Sequence, residues 1–73
     1  MTVLGKYLDK KSINKSGLAR MTGITTSRLS RLSNDSACKL TAKELYLLSK
    51  ALEVNSEYLL SELYPNTNLQ EHE

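Results

Sequence analysis

Apolar residues along this chain recur at spacings of three and four, and no stretch alternates strictly between apolar and polar over a strand's length. The pattern predicts helices. Leu4, Tyr7 and Leu8 share one face of a short helix over about residues 2–11. Ser12-Ile13-Asn14 interrupts it, and Asn14 is suited to cap a second helix from Lys15 to Thr22 that buries Leu18, Ala19 and Thr22. Gly23 follows the last turn of that helix, where a residue without Cβ adopts the left-handed conformation at least cost. Thr25 or Thr26 caps a third helix reaching about Ser33, with Leu29 and Leu32 inward.

Ser33 to Lys39 is rich in Ser, Asn and Asp and reads as a loop. Thr41-Ala-Lys-Glu44 is a capping box, in which side chains at each end satisfy the other's free amide. It opens a fourth helix carrying Leu45, Leu48 and Leu52. Asn55 or Ser56 caps a fifth, with Leu59, Leu60 and Leu63, closed by Pro65. The expected architecture is one compact all-α domain of five helices over residues 1–64, followed by a polar tail over residues 65–73 that is expected to fray.

Length narrows the field. A chain of 73 residues is near the lower limit for one self-sufficient core, which excludes a two-domain cofactor enzyme. The 14 leucines and four aromatics, all tyrosine, make that core aliphatic. Cys38 stands alone and cannot form an internal disulfide; no apolar run approaches a membrane span, and the first residues lack a signal peptide's apolar stretch. A cytoplasmic location is the default reading, with no membrane partner.

Charge is unevenly placed. Residues 1–43 hold nine Lys or Arg against Asp9 and Asp35, a surplus of +7, whereas residues 44–73 hold Lys50 against six Glu, a deficit of −5. One half is therefore fitted to a polyanion. The acidic half leaves open a second class of function, a protein-interaction adaptor or antitoxin with a basic partner. Catalysis finds little support. The single histidine, His72, lies in the tail, no glycine-rich phosphate loop exists, and neither a metal cluster nor a cofactor site is expected.

The segment from Lys15 to Ser33, KSGLARMTGITTSRLSRLS, carries the function. Ala19 is small enough for two backbones to approach, Gly23 supplies a tight turn, and Leu18, Ile24, Leu29 and Leu32 fill the angle between two helices. Those are the requirements of a helix-turn-helix. With Leu48-Ser-Lys-Ala51-Leu52-Glu-Val54 and Asn55-Ser-Glu-Tyr-Leu-Leu60 after it, nearly the whole folded chain resembles the phage repressor and Cro-like (XRE-type) family. The resemblance implies a sequence-specific regulator of transcription, a repressor, that binds double-stranded DNA through helix 3 (about 26–33) in the major groove.

It also implies roles for individual residues. Thr26 and Ser27 open the recognition helix, and Ser30 and Arg31 follow one turn later. Arg31 either discriminates a base, since guanidinium pairs with guanine through two parallel bonds, or clamps a phosphate. Lys15 stands where many members have a phosphate-binding glutamine. Thr25 and Arg28 are expected at the DNA backbone beside the helix, and Lys39 from the loop after it. A homodimer, common in the family, would use the last helix, with Tyr58, Leu59, Leu63 and Tyr64 as the candidate surface. This chain departs from the family at Leu8, where an arginine and its ion pair are frequent, and at Gly17, which weakens the second helix.

Overall fold

The computed structural model describes residues 1–67 together with Leu69. Five α-helices follow one another: α1 Val3–Lys10, α2 Lys15–Thr22, α3 Thr26–Asn34, α4 Ala42–Leu52 and α5 Ser56–Leu63. Among the described residues there is no strand, and no helix is long and apolar enough to cross a membrane. Expected and observed helices agree to within a residue at most ends. Thr2 and Lys11 prove to be the caps of α1, and α3 continues one residue beyond Ser33.

Helices of 8 to 11 residues do not persist alone in water, so their ends and their packing must hold them. Every helix starts with a side-chain oxygen accepting a backbone N–H. Thr2 accepts from Gly5, Asn14 from Gly17, Thr25 from Arg28, Thr41 from Glu44 and Asn55 from Glu57 and Tyr58. Such caps contribute about 0.5–2 kcal/mol each. The α4 capping box is complete, since the Thr41 N–H also donates to Glu44 Oε1 at 2.9 Å. Gly17 turns out to be the residue whose N–H meets the Asn14 cap.

The core is drawn mostly from the residues that periodicity selected, although Leu45 and Leu52 are only partly buried against it and Leu60 is exposed. Leu29, Leu48 and Leu59 are fully buried, and Leu4, Tyr7, Leu8, Leu18, Ile24, Leu32 and Leu63 close around them. Against this cluster α3 is held between α1 and α2, while α4 packs on α2 and α5. The contact of α1 with α3 is close. Thr2 donates its N–H to the Ser33 carbonyl (2.8 Å) and its hydroxyl to the Leu32 carbonyl (2.7 Å), so the first residues of the chain satisfy carbonyls that the end of α3 leaves unpaired.

Candidate nucleic-acid interface

The turn between α2 and α3 is three residues long, and its geometry follows from its composition. Gly23 has φ of 80° and donates its N–H to the Ala19 carbonyl, ending α2 with a left-handed cap. Thr22, buried, donates its hydroxyl to the Leu18 carbonyl and accepts the Ile24 N–H. Ile24 then drops into the core beside Leu29, and Thr25 caps α3.

The result is a helix with two unlike sides. Leu29, Leu32 and Ser33 are buried, whereas Thr26, Ser27, Ser30 and Arg31 are exposed. The Thr25 hydroxyl accepts the Arg28 N–H at 3.1 Å, and Thr25 itself is exposed at the tip of α3. Lys15, the first residue of α2, is half-buried, and Lys39 is exposed in the loop after α3. The outward side of α3 thus carries three hydroxyls and a guanidinium, with no acidic residue between Thr26 and Asn34.

Arg28 departs from expectation. Its guanidinium bonds to its own protein: Nε donates to Glu44 Oε2 at 2.8 Å and Nη2 to Glu44 Oε1 at 2.9 Å. Nη2 also reaches the Lys39 carbonyl and Nη1 the Cys38 Sγ, each at 2.9 Å. The structure thus commits Arg28 to its own protein through four bonds, where a direct contact with the DNA backbone was expected. No residue near Arg28 signals this, because the partners lie 10 to 16 residues away. This is the one ion pair among the described residues.

The pair also sets an acid limit. The Arg28 guanidinium holds the Glu44 carboxyl down to about 2 from its ordinary 4.5, against the opposing effect of burial and with help from the Thr41 N–H and hydroxyl. A carboxyl whose pKa is lower folded than unfolded stabilises the fold above the unfolded value and loses that contribution as pH falls through the folded one. Stability should therefore decline between about pH 4.5 and pH 2. Glu44→Gln should be less stable at pH 7 and flatter across that interval in urea unfolding followed by circular dichroism. Parallel profiles for the two proteins would contradict the assignment.

The candidate dimer surface also needs correction. Leu59 is fully buried and Leu63 nearly so, because theirs is the stripe of α5 that closes the core, and neither is offered to a partner. Tyr58, Leu60 and Tyr64 are the exposed apolar residues of that region. The Tyr7 hydroxyl is pushed up by burial first and then by the neighbouring Tyr58 and Glu62. His72 lies outside the described residues, as does most of the tail. No group of three potential metal ligands occurs among the described residues.

Two short helices joined through a glycine cap, the second with one leucine side fixed and one polar side free, define a helix-turn-helix domain. Residues 3–64 match the model of the Cro/C1-type HTH DNA-binding domain, and the chain belongs to that family. No curated protein and no solved structure matches it.

Proposed function

We propose that the chain is a sequence-specific regulator that binds double-stranded DNA and represses transcription by occupying its site, with α3 in the major groove from Thr26 to about Ser33. The supporting observation is the free polar side of α3, backed by Leu29 and Leu32 on the other. In this reading Arg31 reads a base edge, Thr26, Ser27 and Ser30 contribute shorter contacts, and Thr25, Lys15 and Lys39 meet phosphates. Residues 1–64 form the binding unit and residues 65–73 a tail outside it. The protein works in the cytoplasm as a two-fold dimer, with Tyr58, Leu60 and Tyr64 on the face offered to the second copy. Recognition helices then fall about 34 Å apart on the duplex.

Duplexes selected from a random pool supply a preferred site, and fluorescence anisotropy on preferred and random duplexes separates the roles. Arg31→Ala should weaken the preferred site by about 1–3 kcal/mol and relax selection at one base pair. Lys15→Ala should weaken all duplexes alike and reduce the slope of log affinity against log salt by about one. Equal effects of both substitutions on both kinds of duplex would contradict this division of labour. Absence of duplex binding by the unaltered chain would overturn the DNA reading and favour the protein-interaction module suggested by the acidic half.

A further inference from the structure

Arg28 sits in the recognition helix with its charge spent on the protein, which raises the question of what the arrangement achieves. Its four hydrogen bonds go to three residues on the far side of the α3–α4 loop. Cys38 and Lys39 are the loop's last residues before Leu40, and Glu44 belongs to the first turn of α4. Glu44 Oε1 accepts from both Arg28 Nη2 and the Thr41 N–H, so the guanidinium is joined to the capping box that fixes where α4 begins. The Arg28 side chain is 30 % exposed and that of Glu44 16 %, so water competes only in part for these bonds. A planar fork can engage a carboxylate through two parallel bonds and still reach a carbonyl and a sulfur; an ammonium cannot.

The residue that this fixes is Lys39. Its backbone carbonyl is bonded to Arg28, while its side chain stays exposed, with Nζ 3.5 Å from the Ser36 carbonyl. Lys39 is thus a cation on a polar loop whose main chain is tied to the recognition helix itself. The Ser36–Lys39 stretch is also held by the Asp35 turn, in which Asp35 Oδ1 accepts the Ala37 N–H and the Asp35 carbonyl accepts the Cys38 N–H, and by Cys38 packing against the core.

We propose that Arg28 is a positioning residue: it fastens the α3–α4 loop to the recognition helix so that Lys39 meets a DNA phosphate in fixed register with the base-reading face of α3. This rests on the DNA-binding reading above. It assigns Arg28 an indirect part in duplex binding, exerted through Lys39.

The test is a double-mutant cycle of Arg28→Lys and Lys39→Ala, read by anisotropy with the preferred duplex between 50 and 200 mM salt, roughly the range where one phosphate contact is readily resolved. Lys39→Ala should lower affinity about five- to tenfold near 0.1 M salt and reduce the salt slope by about one, as expected for one lost phosphate contact. Arg28→Lys keeps the net charge, yet should reduce the slope in the same direction. In the Lys39→Ala background it should add less than about twofold, because the contact it positions is already gone. Thermal melts confirm that each variant is folded at the assay temperature. Should Arg28→Lys fail to fold, Glu44→Gln takes its place in the same cycle, since it weakens the clamp from the other end.

An unchanged slope for Arg28→Lys, or a full and additive loss in the Lys39→Ala background, overturns the positioning role. Those outcomes leave the DNA reading intact, because the unaltered chain still binds. A chain that binds no duplex at any salt takes both down together.

Discussion

Leu29→Ala should destabilise the domain by about 2–5 kcal/mol, the range for removing a fully buried leucine and leaving a cavity. Leu29 is fully buried on the inner side of α3, between the helices that flank it. A domain of this size has a total stability of roughly 4–11 kcal/mol, so the variant should be marginal or unfolded at room temperature. Among the apolar side chains of α3, only Leu32 is buried beside it. Ser30→Ala, one residue along but on the exposed side, should change stability by less than about 0.5 kcal/mol. Urea unfolding of both variants checks the contrast. A loss below about 1 kcal/mol for Leu29→Ala would mean that the recognition helix is not held by this core.

Gly5→Ala should be the second severe change, although alanine favours helices. A Cβ at Gly5 would run into the backbone carbonyl oxygen of Ser33, and backbone cannot swing aside as a side-chain end can. Relief requires α1 to move off α3, which breaks the bonds from Thr2 to the Leu32 and Ser33 carbonyls. Overpacking of this kind costs about 1–3 kcal/mol, and the propensity gain of about 0.5–1 kcal/mol offsets only part of it. Gly17 supplies the control. A Cβ there meets nothing closer than 3.9 Å, so Gly17→Ala should stabilise by the propensity term alone. Thermal unfolding of the two variants should shift in opposite directions. The same sign for both would show that α1 and α3 do not approach as closely as described.

What the sequence made legible was local. Asn14, Gly23 and Thr41 act within a few residues of where they stand, so α2 begins and ends, and α4 begins, where they predict. The leucine set under α3 was readable for the same reason, since three- and four-residue spacing describes one side of one helix. Contacts between distant segments were not readable. Gly5 faces Ser33 across 28 positions, and nothing near Gly5 marks it as a point of close approach. Arg28 beside a recognition helix presents the same residue type whether it faces phosphate or carboxylate, and only the fold brings Glu44 to it. On α5 the spacing yields two adjacent apolar stripes and does not tell which turns inward; packing against α1 and α4 selects Leu59 and Leu63.

The central claim is that the exposed side of α3 is the surface that meets the duplex. It is tested most directly by titrating the selected duplex into isotope-labelled protein and following amide and side-chain resonances by NMR. The account predicts the largest perturbations at Thr26, Ser27, Ser30 and Arg31, with smaller ones at Lys15 and Lys39 and little at Tyr46 on α4. Perturbations concentrated on α4, with α3 unaffected at saturating duplex, would contradict it.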